Sequence, residues 1–271
     1  MHSSLSTTDS TTRAFLEHNP VFTTAEFRAS LPPRVSASTV LNRLLQAHRR
    51  GYVDRVHRGL YVSRVGVFAD TIPDPLLVAS KLAPDSVIAY HSALEAHGVA
   101  HAPFRRVTFL SARLPVKVQY RGYEFWSVRP AASMLRGSRW RSSLVQLRRG
   151  DQLIACTSRE RTLADCLHRL RWSGGLEEVL RSVGALPSLD IERLLAYLDL
   201  LGLPTVVARV GWVLSLDPGL WGLTPEDLEP LRSRLGKGPY FLSARSGPQR
   251  LAGEWRLYVP QTLDAQELLH G

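Results

Sequence analysis

The chain has 271 residues, enough for one large domain or two to three small ones, and its 44% apolar content is ordinary for a protein with a core. A Ser/Thr-rich start without a basic, apolar leader argues against a secretory signal, and the most apolar stretch, residues 200–216, is broken by Pro204 and Arg209, which argues against a membrane span; a cytoplasmic protein is expected. The formal charge is +10, with nine arginines against four acids in residues 1–66 and eleven basic residues against the single acid Glu124 in residues 101–150, so two polyanion-facing surfaces are expected.

In chain order, residues 11–18 carry Ala14, Phe15 and Leu16 and stop at Asn19-Pro20, the pattern of a short helix. Thr23 with Glu26 three residues on forms a capping box, which predicts a second helix through Phe27 to about Ala29. A longer helix is predicted over 36–50, capped by Ser36 or Ser38 and ended by Gly51, with Val40, Leu41, Leu44 and Leu45 as its buried stripe. Ser38, Thr39, Asn42, Arg43, Gln46, Arg49 and Arg50 belong to its other side. Forked guanidinium groups suit guanine, amides suit adenine, and positive charge suits the phosphate backbone.

Residues 52–56 and 60–62 are rich in β-formers and are joined by His57-Arg58-Gly59, which predicts a hairpin. With Arg55 and Arg58 on it, that hairpin reads as a wing that enters a minor groove or clamps phosphate. The fold class expected is therefore α+β: an N-terminal winged helix-turn-helix DNA-binding domain over 1–66, a linker over 67–75, and a mixed α/β domain over 76–271. A winged helix used only for protein contact is the alternative, disfavoured by the exposed arginines.

Pro75 opens an apolar helix, and residues 86–98 read as a strand, a cap and a helix ended by Gly98. His91, His97 and His101 lack same-face spacing and a completing acid, so structural or capping roles are expected and no metal site is assigned. Residues 105–110, 116–120 and 123–128 alternate like strands, with Arg121-Gly122 as the turn between the last two. Arg105, Arg106, Arg113, Lys117, Arg121 and Arg129 form a second basic surface on or beside them, with Tyr120, Tyr123 and Trp126 interleaved. That pattern suits single-stranded nucleic acid, although strand aromatics belong more often to a core.

A second capping box, Thr157-Ser158-Arg159-Glu160, opens a helix that Gly174-Gly175 breaks; helices over 176–183, 191–200, 206–216 and 225–234 and a final strand over 250–259 follow. Cys156 and Cys166 have no histidines at ligand spacing and are expected to be buried small apolar side chains. No phosphate-binding glycine loop, nucleophile elbow or H-E-x-x-H occurs, and none of Lys81, Lys117 and Lys237 has an acid two residues before it. An enzyme is not expected, and no cofactor is assigned.

The segments RGLYV (58–62), SVIAYHSALEAHGV (86–99) and CTSRERTLADCL (156–167), with the late GWVL (211–214) and EWRLYV (254–259), resemble the AbiEi-type antitoxins of type IV, abortive-infection toxin–antitoxin systems. The resemblance implies a repressor that binds inverted repeats in its own promoter. It also implies a C-terminal domain that neutralises a cognate nucleotidyltransferase toxin, with a stable complex or without one. It assigns no catalytic residue. The competing readings are a plain winged-helix transcription factor with a ligand-sensing or dimerising C-terminal domain and, behind it, a DNA nuclease.

Overall fold

The computed structural model describes residues 7–113, 115–244 and 247–270 and shows an α+β chain with three sheets. The N-terminal unit runs α1 (Thr7–His18), β1 (Val21–Thr23), α2 (Thr24–Ala29), α3 (Ala37–Arg49), β2 (Val53–His57) and β3 (Leu60–Ser63). The capping box at Thr23 forms in full: the Glu26 amide donates to the Thr23 hydroxyl at 3.2 Å, and the Thr23 amide donates to the Glu26 carboxylate at 2.7 Å. Ser36, not Ser38, caps α3, its hydroxyl accepting from the Thr39 amide at 3.2 Å.

Around α3 a small aromatic core closes. Val40, Leu44 and Ala47 face Leu16, Phe22, Phe27 and Tyr61, and the Phe22 and Tyr61 rings stack at 5.8 Å. The expected stripe needs correction here. Leu41 and Leu45 are 54% and 46% exposed, because they lie about a quarter-turn round from the Val40–Leu44 line and no element covers that side.

Val21-Phe22-Thr23 is a strand, and it completes a sheet of order β1-β3-β2. Strand alternation sends Phe22 and Tyr61 toward the helices and Val21, Leu60 and Val62 to the opposite face. That second face does not meet water. It packs on α4 (Pro75–Lys81) through Leu76 and Leu77, so the N-terminal unit shares a core with the rest of the chain. An ion pair of Lys81 with Glu26 and a bond from the Gln152 amide to the Val21 carbonyl (3.3 Å) reinforce the contact.

The rest of the chain is built on β4 (Val87–Ile88), α5 (His91–Ala96), β5 (Arg106–Leu110), β6 (Lys117–Tyr120), β7 (Tyr123–Val128), α6 (Ala132–Leu135), β8 (Leu144–Arg149) and β9 (Gln152–Thr157). Its six strands lie in the order β6-β7-β5-β4-β9-β8, and the hairpin β8–β9 has no counterpart among the elements expected from sequence. The chain continues through α7 (Arg159–His168), α8 (Leu176–Gly184), α9 (Ile191–Leu201), α10 (Pro204–Leu216) and α11 (Glu229–Arg232). It ends in β10 (Tyr240–Phe241), β11 (Gln249–Ala252), β12 (Leu257–Pro260) and α12 (Ala265–His270). The single strand expected over 250–259 is thus two antiparallel strands, split by a helical turn at Gly253–Trp255.

The large sheet divides two cores. On one face α4 and the N-terminal unit cover Val107, Phe109, Phe125 and Ile154. On the other, α7 to α10 cover Leu110, Val128 and Val87. The second capping box does not form; Ser158 caps α7 and accepts from the Arg161 amide, while Glu160 accepts from the Asp190 amide. Arg161 is buried beside Asp165 (3.1 Å), donates to the carbonyls of Trp140 and Ser142, and shares Asp165 with the Tyr197 hydroxyl. Both cysteines are buried and free, and burial pushes their thiols up to about 12, which removes thiolate chemistry at neutral pH. No helix among the described residues is long and apolar enough to cross a membrane.

Candidate nucleic-acid interface

α3 contains no acidic residue. Its outward side carries Ser38, Thr39, Asn42, Gln46 and Arg49, all exposed, and Arg50 caps its end. Arg43 departs from the expected face: it is half-buried and, with Gln46 and Arg50, borders a shallow hollow against Thr12 and Arg13 of α1. The tail of α3 is tied to the hairpin by His48 Nδ1, 2.9 Å from the Val53 carbonyl.

The hairpin is short and braced. The Thr24 amide donates to the Gly59 carbonyl at 2.9 Å, which pins the turn to the start of α2, and Gly59 takes a φ of +78° that favours glycine. Arg58 sits exposed in that turn, and Arg55, across from Tyr61, is exposed on the side of the sheet that faces the helices. Three acids of this unit are paired with cations: Glu17 with Arg13, Glu26 with Lys81 of α4, and Asp54 with Arg64 and Arg121. Arg49, Arg55 and Arg58 have no carboxylate partner among the described residues, so the surface around α3 and the hairpin is positive.

Periodicity alone missed Leu41 and Leu45. They add an apolar strip directly beside Ser38, Asn42 and Arg49, and nothing in an i, i+4 leucine pair distinguishes an outward strip from a core stripe.

The second basic surface is not one surface. Arg121 points its guanidinium at Asp54 of β2 (2.8 Å) and the Tyr120 hydroxyl reaches the same carboxylate (2.8 Å), so both serve to hold the hairpin sheet to β6. Arg113 and Arg129 follow the far ends of β5 and β7. Arg106 and Lys117 meet on one ring, 4.6 Å and 4.2 Å from Trp126, whereas Arg105, just before β5, lies 5.6 Å from Tyr123. The three histidines do not converge. His91 lies between Glu178 (3.0 Å) and Glu95 (3.6 Å), acids that the sequence reading did not connect to it, and His97 bonds the Thr157 carbonyl at 2.8 Å.

The fold is similar to that of the RV2827C protein from Mycobacterium tuberculosis, whose crystal structure matches with a TM-score of 0.62 at 19% identity, over 96% of this chain and 92% of that one. No protein-family model and no curated protein matches the chain.

Proposed function

We propose that this chain is a winged-helix transcriptional autorepressor that reads duplex DNA through α3 and the β2–β3 hairpin, and that it acts as the antitoxin to a nucleotidyltransferase. The observation that carries the DNA reading is an acid-free helix with Ser38, Thr39, Asn42, Gln46 and Arg49 outward, next to a hairpin with unpaired Arg55 and Arg58. The order helix, strand, helix, helix, hairpin supports the winged-helix reading, in which α3 would be the element that enters a major groove.

In that geometry Asn42 reads a base edge, Arg49, Arg55 and Arg58 hold phosphates, and Leu41 and Leu45 meet thymine methyl groups, the apolar feature of the major groove. Arg43, turned toward α1, serves as a flanking phosphate contact rather than the central reader. The antitoxin part is supported by the AbiEi-like segments. Two of them form β4–α5 and β9–α7, with β4 and β9 paired at the centre of the sheet.

The test is selection of bound duplexes from a random pool, followed by gel shifts over a salt series. Asn42→Ala should cost about 1–3 kcal/mol at one base pair and relax the preference there. Arg49→Ala should weaken all sequences alike and flatten the log–log salt slope by about one unit. Unselective binding by the wild type, or two variants that leave slope and preference intact, would refute the DNA reading. The antitoxin part requires a nucleotidyltransferase gene adjoining this one, and co-expression of the two must rescue growth.

A further inference from the structure

On the face of the large sheet opposite the N-terminal unit, a cleft of about 330 Å³ opens between the start of β5 and the segment joining α7 to α8; His91, Phe104, Arg105, Arg106, Arg171 and Trp172 border it. Three of these six are arginines. Arg171 lies 5.0 Å from the Trp172 ring, and Trp172 meets Trp126 edge to face at 5.7 Å, so the cations of β5 and β6 and the indoles form one cluster. Only Arg106 has a carboxylate in reach, Glu124 at 3.6 Å; Arg105, Lys117 and Arg171 have none among the described residues.

Hydrogen bonding singles out the same place. Six buried side-chain polar atoms among the described residues lack a hydrogen-bond partner; two belong to residues that border the cleft, His91 Nδ1, which lies 3.6 Å from the Glu95 carboxylate, and the Trp172 indole nitrogen, and a third is the indole nitrogen of Trp126, the ring packed against Trp172. Folded proteins pair nearly all such atoms, and exceptions concentrate where a ligand binds or strain is stored. An indole N–H can only donate, so both tryptophans call for an acceptor. The His91 side chain is 2% exposed, is held from Nε2 by Glu178, and stacks on Phe104 at 3.8 Å, which makes this wall of the cleft rigid.

We propose that this cleft binds one nucleotide unit, with its phosphate held by Arg105, Arg106 and Arg171 and its base against the aromatic wall of Phe104 and Trp172. Guanidinium forks match phosphate oxygens, and a volume at the small end of ligand pockets admits a nucleotide and excludes a duplex. A free nucleoside phosphate and an unpaired nucleotide of a single strand present the same chemistry. The site is separate from α3 and stands independently of the duplex reading.

The test titrates the full chain with ATP, with a short single-stranded oligonucleotide and with inorganic phosphate, followed by calorimetry and tryptophan fluorescence. ATP or the oligonucleotide should bind saturably. Arg105→Ala and Arg171→Ala, both exposed and without carboxylate partners, should each weaken binding about ten-fold with the melting temperature unchanged. Trp172→Phe should remove most of the fluorescence response, whereas Arg49→Ala, which tests the DNA reading, should leave nucleotide binding intact. Tighter binding of the oligonucleotide identifies a strand end or loop as the source, and equal or tighter binding of ATP identifies a free nucleotide. Inorganic phosphate binding as well as ATP, affinities that neither arginine substitution alters, or no saturable binding of any probe would overturn the proposal.

Discussion

Asp54 is one of the residues on which the N-terminal unit and the rest of the chain meet. Its carboxylate accepts from Arg121 and Tyr120 at 2.8 Å each and lies 3.8 Å from Arg64. Partial burial pushes its pKa up, but the bonds from Arg121 and Tyr120 outweigh this and hold it below the ordinary aspartate value. The sign follows from linkage: a pKa lower in the folded than in the unfolded chain adds stability above the unfolded value, roughly 4, and that stability is lost as pH falls through the folded value. Asp54→Asn should therefore lower the urea midpoint at pH 7, and the gap to wild type should close on acidification. A gap that stays constant from neutral to acid pH would remove Asp54 from this role. The pair is partly exposed, so high salt should also narrow the gap.

At the scale of elements, α3 separates the side chains that stabilise the fold from those that the proposed DNA reading uses. Leu44→Ala empties a buried position between α1, α2 and β3 and should cost about 2–5 kcal/mol in a denaturation curve. Leu41→Ala and Leu45→Ala remove exposed side chains and should stay within about 0.5 kcal/mol, while lowering affinity for thymine-containing sites. Replacing the contacted thymine by uracil, which lacks the methyl group, should reproduce the leucine loss and not add to it. The C-terminal elements obey a different constraint. Gly211 of α10 faces the Trp255 indole so closely that a Cβ would collide with the ring, which is how GWVL and EWRLYV come to touch. Gly211→Ala should destabilise the chain by about 1–3 kcal/mol, read from chemical denaturation.

For the whole molecule, the shared core is decisive. Val21, Leu60 and Val62 are buried against α4 and the large sheet, so a fragment cut at residue 66 would expose an apolar sheet face. Residues 1–66 alone should bind a hydrophobic dye and melt without a sharp transition, while the full chain, in which both faces of the large sheet are covered, should not; a cooperative, dye-free melt of the short fragment would contradict this. The same packing fixes the hairpin relative to the large sheet, because Asp54 of β2 is held by Tyr120 and Arg121, while its relation to α3 is set inside the unit by His48 and by the Thr24–Gly59 bond. The two positive regions lie on opposite sides of the large sheet, one around α3 and the hairpin and one at the cleft beside the start of β5.

Local chemistry made much of this legible in advance. The capping box at Thr23, the hairpin at Arg58-Gly59, the Arg121-Gly122 turn and the glycine stops at Gly51 and Gly98 depend on residues near each other in sequence, and each is present. Periodicity could not decide between Leu41 and Leu44, because burial depends on which neighbours arrive, and none arrives on the Leu41 side. Nor could charge counting tell Arg121, spent on Asp54 from a distant strand, from Arg105, which remains without an acid. What sequence alone determined was most of the elements and their polarity, since those follow from bonds and spacing along the chain, but not β1, the β8–β9 hairpin or the split of residues 250–259 into two strands. Which faces pair, which cations stay unneutralised and where indoles and arginines enclose a cleft were decided only by the tertiary structure, because each is a contact between residues far apart in the chain.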